Sequence, residues 1–127
     1  MAEPDATVLV VDDEEGIRFG LERLFARAGY QVHTTPDSAE AAALAREQNL
    51  DAAIIDIRLR NGQGGIDLLK ELKAIDPELA VIMITGYGSI ETAITSMREG
   101  AADYILKPVD NERLLEVVER NLELREL

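Results

Sequence analysis

Five short segments of mostly apolar residues recur along the chain, and each is followed by a segment with apolar residues at helical spacing. The short segments are residues 7–11, 31–35, 52–56, 80–84 and 103–106. In the first, third and fourth, apolar residues follow one another without polar alternation, which predicts strands buried on both faces. The second segment is more polar, as expected for a strand at the edge of a sheet.

The segments between these strands predict five helices. Apolar residues have helical spacing in residues 17–28, 38–49, 66–75, 90–99 and from 111 to the terminus. Gly29 and Gly100 are placed to end the first and fourth helices, and Asp110 to cap the last. Alternating strands and helices predict an α/β fold with a parallel sheet and right-handed crossovers. Five units are too few for an eight-stranded barrel, so we expect a flavodoxin-like, doubly wound sheet of order 2-1-3-4-5.

Length and composition bound the function. We expect 127 residues to form a single domain, with a core from about residue 7 to 124. The net charge of −12 disfavours direct binding to nucleic acids or anionic membranes, which attract clustered Lys and Arg. The absence of cysteine excludes disulfides and thiolate metal sites. No apolar segment is long enough to span a membrane, so we expect a cytoplasmic protein.

Polar residues follow the buried strands at the edge where an open parallel sheet binds ligands. Asp12 and Asp13 follow the first strand, Asp56 ends the third, and Thr85 and Lys107 follow the fourth and fifth. Each alone has a plain structural alternative, such as a helix cap, a turn residue or a solvated charge. Their joint occurrence, one strand end each, favours a shared site.

Three carboxylates in one crevice need compensation, because two like charges about 4 Å apart cost roughly 4 kcal/mol at an effective dielectric constant of about 20. Lys107 offsets part of this repulsion. A site of few protein oxygen ligands suits Mg²⁺, whereas zinc and copper fit poorly in a chain with one histidine and no cysteine. Carboxylates, a hydroxyl and an ammonium group together indicate phosphoryl transfer, with Asp56 available as the acceptor.

These residues resemble the receiver domain of two-component response regulators over most of the chain. The resemblance implies that Asp56 accepts a phosphoryl group from a sensor histidine kinase. It also implies that Asp12, Asp13, Asp56 and the backbone carbonyl of Arg58 hold Mg²⁺. Thr85 and Lys107 would engage the phosphoryl oxygens.

The same resemblance implies a switch. Tyr104 matches the aromatic residue that moves inward with Thr85, and Arg58 and Tyr87 match the positions that tune hydrolysis. The chain is most similar to receivers of NtrC-type activators, which use the alternative sigma factor sigma-54. Phosphorylation would then change the face formed by helix four, strand five and helix five, with a homodimer through helices four and five as one candidate assembly. The output, transcription, would lie in a domain outside this chain.

Two features leave alternatives open. The apolar stripe of the last helix continues to the terminus, which suits either core packing or a linker to a further domain. The family usually has Pro four residues and Gly eight residues after the acceptor, whereas here Arg60 occupies the first position and Gly65 stands nine residues after Asp56. We therefore expect a loop one residue longer, with Asn61-Gly62 and Gly64-Gly65 giving it freedom at positive φ.

Two other classes of function compete with the switch. A phosphatase or phosphotransferase with an aspartate nucleophile has a similar fold, but its nucleophile usually lies on the first strand, two residues before a second Asp. Here the first strand ends in the adjacent pair Asp12-Asp13. A flavin-binding or structural module is disfavoured because the acidic first loop would repel a flavin phosphate.

Overall fold

A computed structural model describes residues 6–59, 64–86 and 90–126. They form one five-stranded parallel sheet of order β2-β1-β3-β4-β5, as predicted. The strands are β1 (Thr7–Val11), β2 (Gln31–Thr35), β3 (Ala52–Asp56), β4 (Ala80–Thr85) and β5 (Asp103–Leu106). The helices are α1 (Glu15–Arg27), α2 (Ser38–Glu47), α3 (Gly65–Ile75), α4 (Ile90–Arg98) and α5 (Asn111–Glu126).

The sheet separates two apolar layers, because successive side chains of a strand point to opposite faces. One layer, which we call the α1/α5 face, packs Val10, Ile54 and Ile84 of the sheet against residues such as Phe25 and Leu114. The opposite layer, the α2/α3 face, consists of Leu9, Val11, Ala53, Ile55, Val81 and Met83 from the sheet with Ala41, Ala42, Leu68, Leu69 and Leu72 from the two helices. The three central strands are buried along their whole length, as their unbroken apolar pattern predicted.

Helix ends follow the predicted signals. The Asp37 carboxylate accepts a hydrogen bond from the amide of Ala39 at the start of α2. Asp110 accepts in the same way from Glu112 and Arg113 at the start of α5, which confirms it as the cap. These contacts satisfy amide groups that have no partner within a helix.

Helix α5 combines a packed and an exposed segment. Leu114, Val117 and Val118 are fully buried on the α1/α5 face, and Leu122 is partly buried there. Leu124 is 59% exposed. The stripe is therefore core packing up to Leu122, and the idea that α5 continues into a linker stays a prediction.

Helix α4 is packed differently. Its one buried residue is Ser96, whereas Ile90, Ile94 and Met97 are exposed. Leu106 of the neighbouring strand β5 is also exposed. We call Ile90, Ile94, Met97 and Leu106 the α4–β5 apolar patch.

Candidate functional site

Three carboxylates converge where β1 and β3 end. Asp12 is completely buried, Asp56 is 5% exposed and Asp13 is half-buried. One carboxylate oxygen from each lies within 4.8 Å of the other two. The cause is the register, because Val11 pairs with Ile55 and the two strands therefore deliver their next residues side by side. The predicted cluster is thus assembled by neighbouring central strands.

Lys107 connects two of these carboxylates. Its ammonium nitrogen lies 3.1 Å from Oδ2 of Asp12 and 3.0 Å from Oδ2 of Asp56. The amide of Lys107 donates to the carbonyl of Thr85 at 2.8 Å, so the residue extends the β4–β5 ladder by one step. This extension aims the long side chain back across the sheet edge, toward the acids. Hydrogen bonds between two ionised groups are stronger than bonds between neutral groups.

The electrostatics favour a bound cation. Burial raises the pKa of Asp12, and the neighbouring charge of Asp56 raises it further, while hydrogen bonds from Glu14 and Lys107 act in the opposite direction. Burial lowers the pKa of Lys107, but its hydrogen bonds to Asp56 and Asp12 and their charges outweigh burial, so the net shift is upward. Lys107 is therefore held in its charged form, and the cluster sets three carboxyl groups against this single ammonium group.

A polar cleft of about 610 Å³ opens onto this cluster. It is lined by Asp13, Glu14, Asp56, Ile57, Arg58, Leu59, Gly86 and Lys107. The donor set of three carboxylates fits a hard divalent cation, which prefers oxygen ligands and retains water. A cleft of this size also leaves space for a phosphoryl group beside Asp56.

Helix α3 begins directly against the backbone that follows Asp56. The amide of Arg58 donates to Oδ1 of Asp56 at 3.0 Å, and the amide of Gly65 donates to the carbonyl of Ile57 at 2.9 Å. A Cβ on Gly65 would overlap the carbonyl oxygen of Asp56 and lie 2.6 Å from Cα of Ile57. Only glycine fits there.

The expectation that Gly64 and Gly65 supply positive φ is wrong. Gly64 has a φ of −68° and precedes α3, and among the described residues only Gly29 and Gly100 have positive φ. Gly65 is required by close backbone approach instead. The helix also begins at Gly65 itself, one residue earlier than predicted. Arg60 and Asn61-Gly62 lie outside the described residues, so the longer loop stays a prediction.

Thr85 and Tyr104 continue the opposite face of the sheet from Asp56. Strand alternation places Thr85 with Met83 on the α2/α3 face, and Tyr104 pairs with Met83 in the register of β4 and β5. Thr85 is completely buried and Tyr104 is half-buried. The hydroxyl of Tyr104 lies 2.8 Å from Oγ1 of Thr92 on α4. Of the predicted switch pair, Tyr104 thus contacts α4 directly, and Thr85 lies on the same face of the sheet.

The structure places most predicted site residues at one edge. Asp12, Asp13, Asp56 and Lys107 lie together there, and Arg58 lies at the rim of the cleft with an exposed side chain. Tyr87, predicted to tune hydrolysis, lies outside the described residues.

Two contacts of the first loop were not predicted. Arg18 of α1 donates from a guanidinium nitrogen to the backbone carbonyl of Asp12 at 2.7 Å. Glu14 donates its amide to Oδ1 of Asp12 at 2.9 Å and borders the cleft. The first contact depends on the path of a long side chain, which the apolar pattern does not encode.

None of the described helices has the length and apolar character needed to cross a membrane.

Comparison with known proteins agrees with this geometry. Residues 8–119 match the family model described as the response regulator receiver domain. The regulatory protein AtoC of Escherichia coli (strain K12) is 35% identical over 120 residues, which cover 94% of this chain and 26% of AtoC. The chain therefore spans about a quarter of the length of that relative.

Solved structures show the same fold. A CheY-like receiver domain protein from Methanospirillum hungatei has a TM-score of 0.92 and 31% identity, covering 95% of this chain and 96% of its own. The beryllofluoride-activated NtrC4 receiver domain dimer has a TM-score of 0.88 and 32% identity, covering 94% and 98%. The predicted resemblance to NtrC-type receivers is thus confirmed, and this chain belongs to the family of response regulator receiver domains.

Proposed function

We propose that this receiver domain is a phosphorylation-activated switch in which Asp56 accepts a phosphoryl group from a phosphohistidine of a sensor kinase. The supporting observation is the position of Asp56, a nearly buried carboxylate at the open cleft, beside two further acids and one lysine. Such a group has both an entry path for the donor and the charges needed to accept a phosphoryl group.

The transfer step follows from this arrangement. A carboxylate oxygen of Asp56 forms a bond to phosphorus as the bond from phosphorus to the histidine nitrogen breaks, and the broken bond's electron pair stays on that nitrogen. The other ring nitrogen of the phosphohistidine carries a proton, so the leaving group is neutral imidazole. The product is an acyl phosphate. Lys107 already contacts Asp56 at 3.0 Å, so it is placed to engage the new phosphoryl oxygens, and Thr85 contributes its hydroxyl from the next strand. Positioning and charge stabilisation supply most of the catalysis in such transfers.

Asp12, Asp13 and Asp56 would hold Mg²⁺, together with the backbone carbonyl of Arg58. The divalent cation supplies neutralisation of the negative charge that develops on the transferred group. The amide of Arg58 is tied to Asp56, which fixes the peptide chain next to that carbonyl. Arg58 and Tyr87 are proposed to screen the acyl phosphate from attacking water.

Phosphorylation would be read out on the α4–β5 side. Thr85 moves toward the phosphoryl group. The side chain of Tyr104 then loses its contact with Thr92 and moves into the space that Thr85 has vacated, and α4 changes position. This coupling is supported by the shared face of Thr85 and Tyr104 and by the 2.8 Å contact from Tyr104 to α4. The α4–β5 apolar patch is the surface proposed for a homodimer. The related NtrC4 receiver forms a dimer when activated with beryllofluoride.

The kind of protein to which this domain belongs is also a proposal. Because this chain matches about a quarter of AtoC, we propose that residues 1–127 are the receiver part of a cytoplasmic transcription regulator that acts with sigma-54. Its α5 would continue into the linker. DNA would be contacted by another domain, since the net charge of −12 disfavours contact by this one.

The test is labelling by acetyl phosphate with Mg²⁺, followed by intact-mass spectrometry. The wild type should gain one phosphoryl group, and Asp56→Asn should gain none. Asp67→Asn, which changes an exposed acid on α3, is the matched control and should label normally. Retained labelling of the Asp56 variant would overturn the assignment.

A further inference from the structure

The side chain of Arg18 reaches backward from α1 to the loop that precedes this helix. Its guanidinium donates to the carbonyl oxygen of Asp12 at 2.7 Å, and its own amide donates to the carbonyl of Glu14 in the first helical turn. The side chain is half-buried. A long cationic side chain thus bonds to the peptide group that joins Asp12 to Asp13, rather than to a carboxylate.

The loop between β1 and α1 has only three residues, and Asp12 is held at every polar atom. Its amide donates to Thr35, its Oδ1 accepts from Glu14, and its Oδ2 accepts from Lys107. Arg18 supplies the contact to the remaining atom, the carbonyl oxygen. Because the peptide group is planar, fixing this carbonyl fixes the plane of the Asp12–Asp13 peptide. The orientation of that plane in turn restricts the direction in which the Asp13 side chain points.

We propose that Arg18 is a positioning residue for the metal site. By holding the Asp12 carbonyl, it keeps the Asp13 carboxylate within reach of Asp12 and Asp56 before a cation arrives. A preorganised site binds more tightly because it does not lose conformational freedom upon binding. This inference rests on the proposed Mg²⁺ site but assigns a role to a residue that neither touches the cation nor takes part in phosphoryl transfer.

Two effects of Arg18 on cation binding have opposite signs. Its positive charge repels a divalent cation, so removing it should tighten binding if long-range electrostatics dominate. Its hydrogen bond orders the loop, so removing it should weaken binding if positioning dominates. We expect the positioning effect to outweigh charge repulsion for two reasons. The contact of Arg18 to the backbone is short, and solvent and neighbouring acids screen the charge of its half-buried side chain.

The experiment measures the Mg²⁺ dissociation constant by NMR titration of the unphosphorylated protein at constant ionic strength. Arg18→Met, which loses both the charge and the donors, should raise the constant roughly three- to tenfold. Arg18→Lys, which keeps a donor of nearly the same reach, should recover most of the affinity. Arg23→Met is the control, because Arg23 is exposed on the same helix and its guanidinium carbon lies 5.6 Å from the Phe19 ring centroid.

Unchanged or tighter binding by Arg18→Met would overturn the inference, as would equal weakening by Arg23→Met. A lower unfolding temperature with an unchanged dissociation constant would show a purely structural role and also overturn it. If Arg18→Met does not fold, Arg18→Gln, whose side chain is shorter, replaces it and should bind more weakly than Arg18→Lys, and the reverse order contradicts the inference. A wild type that binds no Mg²⁺ would refute the proposed metal site itself, so the two failures are distinguishable.

Discussion

The acidic edge of the sheet and the α4–β5 apolar patch depart from ordinary burial in opposite ways. At the edge, the charged residues Asp12 and Asp56 are almost completely enclosed. On α4, Ile90 is 79% exposed while Ser96 is buried and its hydroxyl has no hydrogen-bond partner among the residues that the structure describes. Each arrangement is less stable than the ordinary alternative. This difference is what the proposed switch requires, with a cation and a phosphoryl group bound at the acidic edge and an apolar partner surface bound at the patch.

The two regions differ also in how firmly they are fixed. Asp12 makes a hydrogen bond at every polar atom, and Gly65 allows the first turn of α3 to pack directly against the backbone of Asp56. Helix α4 has a single buried residue and therefore few packing contacts that oppose movement. A firmly held acidic site near a weakly packed helix suits the proposed switch, in which a local change of charge shifts the position of that helix.

A substitution where α3 packs against the acidic edge should have the largest effect on stability. Gly65→Ala should lower the free energy of unfolding by roughly 1–3 kcal/mol, because the new Cβ overlaps backbone that cannot move aside. Gly64→Ala is the control, since a Cβ there meets no atom of the described residues within 4 Å. Urea unfolding of both variants measures the difference. Equal stabilities would show that α3 can shift and that this side is not rigid.

Altering the exposed side should affect assembly rather than folding. Ile94→Glu should weaken self-association of the beryllofluoride-activated domain about tenfold or more, because an interface core excludes charge. Its unfolding temperature should stay close to that of the wild type. Phe19→Glu makes the same change at an exposed residue of α1 and should leave association intact. Sedimentation of both activated variants measures their self-association. Equal weakening of self-association by the two substitutions would contradict the assignment of α4 to the interface.

The buried charge itself can be tested by pH. Since burial raises the pKa of Asp12, its ionised form opposes folding, and this cost appears as the pH rises above the unfolded value of 3.8. Asp12→Asn should therefore stabilise the Mg²⁺-free protein at neutral pH, by on the order of 1 kcal/mol. The gain should shrink as the pH falls through the raised pKa, because the wild-type acid is then protonated too.

Thermal unfolding across pH measures this effect, with Glu22→Gln on the exposed side of α1 as the control. Added Mg²⁺ should stabilise the wild type and leave the Asn variant nearly unchanged. A variant less stable than the wild type at neutral pH would mean that the hydrogen bonds of Asp12 outweigh its burial.

The smallest effect concerns the connection between the two regions. Tyr104→Phe removes the 2.8 Å contact to Thr92 and should favour the activated arrangement by about 0.5–1.5 kcal/mol. Thr92→Val should act in the same direction, and the two changes together should add nothing further. The dimerisation constant without a phosphoryl mimic measures this shift. Additive effects would show that the hydroxyl contact does not hold the resting state.

The sequence predicted the parts of this structure that depend on periodicity. Unbroken apolar segments identified the buried strands within one residue, and the strand ends identified Asp12, Asp56 and Lys107, because parallel strands all end at one edge. The conformational reason for Gly65 was wrong, since close backbone approach is a property of two segments that only the fold brings together. The contacts of Arg18 and of Tyr104 depend on side-chain paths, which no periodic pattern encodes.

In the proposed switch, charge added at Asp56 changes the α4–β5 apolar patch. Sedimentation equilibrium of the domain, with and without beryllofluoride in the presence of Mg²⁺, tests it most directly. We expect a weakly associating or monomeric protein that becomes a dimer with the mimic, and no change for Asp56→Asn. An oligomeric state that the mimic leaves unchanged would refute the proposed switch.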